Sequence, residues 1–318
     1  MATCSERPDA TPAAAAAPLG GTLGRLGALY GLWWLAALLI QTAGAPLRGL
    51  GPSLGPAAAV LTTVWIAAQS TAGFMVHLAP SLHRRPRRRV ALIVGSIGLG
   101  LIFWLAERLG GGIHPLLAPL GSANLVVFAC LVGTWLPAGL QRPAELVPVG
   151  VLMALVDGAS VLAGPTRRIA ESIETYYKGG MTGPLPAGDA LLVKSAFWGS
   201  ENLLPVFGVS DWIMVVFLTG AALKFDLTDN LAPTPLGAMV RRGRTALFFP
   251  VAAAGLTLAV WGAQFSGRPL PALPLVALAH LGWCLRRYPH TRRLSAGDRR
   301  LLLGLLGIAA LAWAVWSL

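Results

Sequence analysis

The hexapeptide Phe207-Gly208-Val209-Ser210-Asp211-Trp212 lies inside an apolar run from Leu203 to Leu223. A run of that length matches the hydrocarbon core of a bilayer. A carboxylate within it is costly unless paired, so position alone makes Asp211 a candidate functional residue. Of the thirteen acidic residues, one other lies well inside such a run: Asp157, in Leu146–Ala163. At about 1.5 Å per helical residue, Asp157 lies roughly 9 Å and Asp211 roughly 12 Å below the same membrane face. Consecutive spans run antiparallel, so the two carboxylates can meet at one level. Pro271-Ala272-Leu273 opens a later apolar segment from that same face.

The composition agrees with a membrane setting. Among 318 residues 55% are hydrophobic and 12% charged, against roughly 25% charged in soluble domains. Mean hydropathy is +0.66. The apolar runs are continuous rather than alternating, which argues for helices over a barrel. The net charge of +12 does not point to nucleic acid, because the arginines cluster between apolar runs as they do in cytoplasmic loops. The three cysteines form no CxxC and the five histidines no HExxH, so neither a disulfide framework nor a zinc site is expected. The Gly-rich spots lack the Lys-Ser/Thr of a phosphate-binding loop. No cofactor is called for.

The fold expected is all-α, a polytopic transmembrane bundle of about nine spans. Residues 1–22 read as a disordered cytoplasmic tail and 23–145 as four N-terminal spans. Residues 146–285 hold both Asp residues and Pro-Ala-Leu, and 286–318 a basic loop and the last span. Between the two acid-bearing spans, Arg167–Tyr177 places Ile169 and Ile173 among charges, the spacing of a short amphipathic helix at a membrane surface. A solvated loop is the alternative there. His280 reads as a packed or interfacial histidine, and Glu145 and Glu107 as partners of Arg142 and Arg108.

Two facing carboxylates in a low-dielectric site tend to share one proton. The ionised partner can then activate water while the protonated one polarises a carbonyl. Gly208 and Ser210 are small and let another backbone approach closely. Intramembrane acids also serve proton or cation transport, and a pair can be structural. The residues by themselves leave all three open.

The ordered trio Val156-Asp157, Gly208-Val209-Ser210-Asp211 and Pro271-Ala272-Leu273 resembles the intramembrane aspartyl proteases of the presenilin and signal-peptide-peptidase family. That family carries a Tyr-Asp pair, a Gly-x-Gly-Asp motif and a later Pro-Ala-Leu. The resemblance spans about Leu146 to Leu285 and includes Gly164-Pro165-Thr166-Arg167 after the first Asp. It implies a presenilin-like fold, Asp157 and Asp211 as the catalytic dyad, and transmembrane helices or signal peptides as substrates. It also implies that Gly208, Val209, Ser210, Pro271, Ala272 and Leu273 line the substrate path, in a prokaryotic cell membrane. Val156 stands where the family has Tyr, and Ser210 where it has the second Gly. Prepilin peptidases also pair two Asp residues but lack Pro-Ala-Leu, and their cysteine pairs are missing here. Pro269, Pro271 and Pro274 resist helix, so the start of that segment is expected to stay irregular and to offer backbone groups to an unwound substrate. Counting basic residues by side, eighteen of twenty-five fall on one face of a nine-span arrangement. The positive-inside rule then places the N-terminus in the cytoplasm and the 164–201 loop outside.

Overall fold

Apolar runs whose prolines fall only in the first turn become helices here, and where proline and glycine interrupt them further along the chain turns or extends. The computed structural model describes residues 31, 34–39, 55–77, 86–109, 118–181, 183–195, 197, 203–232, 248–267 and 270–316. The tail at 1–22, most of the first span, Arg84, Arg85, the loop carrying Arg241, Arg242 and Arg244, and Pro269 lie outside them. The main elements are α1 (Gly55–His77), α2 (Pro86–Leu109), α3 (Ala118–Gly133), α4 (Leu146–Ala163) and α5 (Pro165–Lys178). A short hairpin follows, β1 (Leu192–Ser195) and β2 (Leu204–Gly208). Then come α6 (Val209–Lys224), α7 (Val251–Ser266), α8 (Ala272–Arg287) and α9 (Ala296–Trp316).

The protein is mostly helical. Among the described residues three stretches are long and apolar enough to cross a membrane: Pro86–Ala106, Pro119–Gly139 and Pro143–Val161. The expected count of about nine is therefore not reached on that measure. The shortfall has a physical source in the second half. Helices α6, α7 and α8 have 16 residues each, about 24 Å of rise, against a core of roughly 30 Å.

The expected span Leu203–Leu223 is the clearest correction. Its first part is strand β2, and helix begins only at Val209. Pro205 cannot donate to a helical ladder, while Val206 and Phe207 favour extended backbone. The α5 stretch is a helix rather than a solvated loop, with Ile173 buried, Ile169 exposed, and Arg167–Glu171 and Glu174–Lys178 paired along its outer side.

Helix α6 is the centre of the bundle. Helices α3, α7 and α8 pack on it, α8 also packs on α4 and α7, and α2 packs on α3. Trp212, Val215, Val216, Leu218, Ala221 and Ala222 of α6 are all buried, as expected of a helix apolar all round. Two glycines set the spacing. A Cβ on Gly133 would fall 2.7 Å from the Ile213 carbonyl oxygen, and one on Gly255 2.7 Å from that of Leu275. Both helix pairs thus meet backbone to backbone. By contrast α2 and α9 turn large apolar side chains outward, Ile102 at 64% exposure and Leu303 at 70% among them. Such outward apolar faces suit a lipid environment.

Candidate functional site

Three pieces of chain meet at one end of α8. Pro271 is its N-cap, with φ −65° and ψ 120°, so the proline segment stays extended up to the helix start. Ala272 and Leu273 follow as the first two helical residues, whose N–H groups have no partner within the helix. The Leu273 N–H donates to Asp157 Oδ2 of α4 at 3.0 Å. A carboxylate from one helix thereby caps the N-terminus of another, where the helix dipole also favours negative charge. The contact is possible because α8 packs along α4.

Asp211 is seated by the same chemistry in its own chain. It is the third residue of α6, and its Oδ2 accepts the Gly208 N–H at 2.9 Å. The corner is pinned from behind by Phe207 stacked on Trp212, with ring centroids 5.7 Å apart and both rings buried. A Cβ on Gly208 would come within 3.3 Å of Asp211 Oδ2 and 3.4 Å of Ser210 Oγ. Glycine thus leaves the carboxylate free to fold back on its own amide. The two carboxylates are close enough for the charge of Asp157 to act on Asp211. Each is half-buried. In both, Oδ2 is the oxygen that accepts the amide.

The sequence-derived site is thus brought together in part. Asp157, Asp211, Gly208, Ala272 and Leu273 lie around one point, with Pro271 at its rim and Ser210 exposed beside it. Val209 is buried and faces the core instead. Val156 is 60% exposed. The meeting also differs in kind from two acids facing each other midway along neighbouring helices. Asp211 sits in the first turn of α6, and α8, which touches both α4 and α6, forms the bridge between them.

Strand β2 leads straight into this corner. It pairs antiparallel with β1, Val193 opposite Phe207 and Ser195 opposite Leu204. Helix α3 lies along β1, where the Lys194 N–H donates to Ser122 Oγ at 2.9 Å. Among the described residues no strand pairs with the other edge of β2. A short strand among apolar spans gives almost no alternation to read, and sequence reasoning missed the hairpin for that reason.

Two further acids are buried against expectation. Asp229, read as part of a polar loop, is 2% exposed, with its Oδ2 4.0 Å from Nδ1 of the fully buried His280. Asp189 is fully buried, accepts the Tyr177 hydroxyl at 2.8 Å and pairs with Lys194. Nothing in spacing announced either, since both fall in stretches too short to show a period. His280 is packed, as expected, and its Nε2 lies 3.5 Å from Cys284 Sγ. Glu145 pairs with Arg142 at 3.2 Å, also as expected. No group of three or more His, Cys, Asp or Glu side chains among the described residues could hold a metal ion.

Fold and site define a mostly helical membrane protein with two adjacent carboxylates seated on helix N-termini. No family model matches the chain, and no curated protein or solved structure matches it either.

Proposed function

We propose that the chain is an intramembrane aspartic endopeptidase, of the presenilin and signal-peptide-peptidase kind, that cleaves transmembrane helices or signal peptides. One observation carries this reading: the amide of Leu273, in Pro-Ala-Leu, donates to Asp157 from α8, the helix that also packs on α6, whose first turn holds Asp211. Three stretches far apart in sequence supply a carboxylate pair and its seat, with the second oxygen of each carboxylate left for chemistry.

In the reaction the pair holds one proton. The ionised carboxylate takes a proton from water as the water oxygen bonds to the scissile carbonyl carbon. The protonated carboxylate donates to the carbonyl oxygen, giving a neutral gem-diol. Collapse breaks the C–N bond, with one proton passing to the leaving amine, and returns the pair to its starting state. Peptide bonds inside a helix are shielded by their own hydrogen bonds, so a substrate must first be drawn out. The edge of β2 that no described strand pairs with ends at Gly208 and suits that need, because an extended segment laid along it would reach the carboxylates.

The orientation proposed from the arginines puts the 164–201 loop outside. Substrates then carry a cytoplasmic N-terminus, the sense of a signal peptide or type II anchor. The decisive experiment reconstitutes the purified chain in liposomes with a reporter helix and no ion gradient. Cleavage by wild type, absent in Asp157→Asn and Asp211→Asn, supports a protease. Gradient-dependent flux without cleavage supports a transporter and overturns the reading.

A further inference from the structure

Away from the carboxylates, a cleft opens between α2, α3 and the turn Ala187–Leu191 that leads into β1. It consists of two adjoining cavities that share Gly100, Trp104, Leu125 and Ala190. The larger has a volume of about 370 Å³ and runs among Ile97, Leu101, Phe128 and Leu191. The smaller, about 60 Å³, ends on Ser122, Asp189 and Lys194. One continuous cleft therefore has an apolar body and a charged end.

The charged end is built into the fold. Asp189 is fully buried, bonded to the Tyr177 hydroxyl and paired with Lys194, whose side chain is 15% exposed. A second cation stands close by. The Arg108 guanidinium lies 4.8 Å from the ring centroid of Trp104, and Trp104 lines both cavities. The outer wall, α2, carries Leu101 and Ile102 exposed, so the cleft is reached from the bilayer side.

We propose that this cleft binds one acyl chain of a glycerophospholipid, with the phosphodiester held at Lys194 and Arg108. Shape excludes a helix as occupant. A helix with side chains is about 10–12 Å across, while α2 and α3 pack directly on each other below the opening. The volume falls at the small end of ligand pockets, about 300–1,000 Å³, and suits a flexible chain. Charge sets the other end. Among the described side chains at this end, two cations stand against the one carboxylate of Asp189, which favours a phosphate. Lipid tails are as apolar as the wall, so hydrophobicity alone does not choose this place over the annulus. The phosphate contact does. The proposal is independent of any chemistry at Asp157 and Asp211.

The test uses the full chain in phosphatidylcholine nanodiscs with a trace of phosphatidylglycerol carrying a photoactivatable diazirine on one acyl chain. Labelled peptides are mapped by mass spectrometry. Peptides containing Leu101, Phe128 and Leu191 should label above those containing Leu303 and Ile308, which face lipid on α9. Leu191→Trp, at an exposed position, and Gly100→Leu should each cut the cleft label. Gly100→Ala should keep it, because its Cβ meets only the end of the Asn124 amide at 3.4 Å. Unlabelled phosphatidylglycerol should compete about fivefold better than diacylglycerol of the same chains, the effect of one basic residue near a phosphate. Cleft labelling equal to that of α9, or unchanged in Leu191→Trp with a wild-type thermal midpoint, overturns the site. Equal competition by diacylglycerol overturns the phosphate assignment.

Discussion

At its first turn α8 offers a backbone amide to Asp157, and two turns further on it turns His280 toward Asp229. Both levels bury a carboxylate against the same helix, yet they are built differently. At the first, the donor is a helix N-terminal N–H at 3.0 Å, and a second carboxylate stands near with its own amide. At the second, Asp229 Oδ2 and His280 Nδ1 lie 4.0 Å apart, beyond hydrogen-bond reach, and both residues are almost fully enclosed. The difference is one of access. A helix N-terminus holds a carboxylate by one oxygen at the end of an element, where the other oxygen can still meet a substrate. A side chain midway along a packed helix meets only its neighbours.

The largest effect expected from breaking this contrast is at the first level. Asp157→Asn or Asp211→Asn should lower cleavage of a reporter helix by about a thousandfold or more, since neither variant can hold or share the proton. The double variant should lose little beyond either single one, as residues acting as a unit are non-additive. Substantial turnover by purified Asp211→Asn would remove the dyad assignment.

Next in size is the seat itself. Leu273→Pro deletes the N–H that Asp157 accepts, together with the leucine side chain, in the first turn of the helix, where proline is tolerated. A hydrogen bond to a charged group contributes about 1.5–3 kcal/mol, so cleavage should fall by about tenfold to a hundredfold. Leu273→Ala keeps the N–H and should retain most of the activity. Equal loss in the two variants would mean that the side chain, not the amide, does the positioning.

At the second level the expectation reverses. Asp229→Asn should leave turnover near wild type and show itself in the thermal midpoint, because this pair lies within packing rather than beside the candidate site. A loss of cleavage comparable to that of Asp157→Asn would erase the contrast between the two levels.

The smallest effect comes from a carboxylate at the N-terminal end of α9. Asp298, in the first turn of α9, accepts from the Ser295 hydroxyl at 2.7 Å and the Ser295 N–H at 2.8 Å, and pairs with Arg142 at 3.1 Å. These contacts, those of Ser295 foremost, hold its carboxyl below the usual carboxylate range. A depressed carboxylate contributes stability that is present above its unfolded pKa and lost as pH falls through its folded value. Wild type should therefore lose thermal stability toward acid slightly more steeply than Asp298→Asn. Parallel midpoint-against-pH curves for the two would count against that capping role.

How much of this was legible from residues alone varies by element. The run Leu146–Ala163 is recovered as helix α4 with the same bounds, because its one proline, Pro148, falls in the first turn and a mainly apolar run leaves the backbone one way to satisfy itself in lipid. The proline start of α8 was legible for the converse reason: Pro271 forbids the helical hydrogen bond, and the helix begins just after it. The strand ahead of Asp211 was not, because Leu203–Gly208 reads equally as buried helix or buried strand, and only pairing with β1 settles which.

What the sequence determined, then, is everything set by local chain chemistry: the membrane class, the helical runs, the proline break and the two carboxylates worth following. Which atoms those carboxylates touch was decided only by tertiary structure. The Leu273 amide finds Asp157 across 116 residues, and Asp229, in a loop whose composition looks solvated, lies against His280 with all of α7 between them in the chain. Such contacts depend on which helices lie side by side. That is fixed by close approaches such as Gly255 against α8 and Gly133 against α6, which carry no periodic signal along the chain.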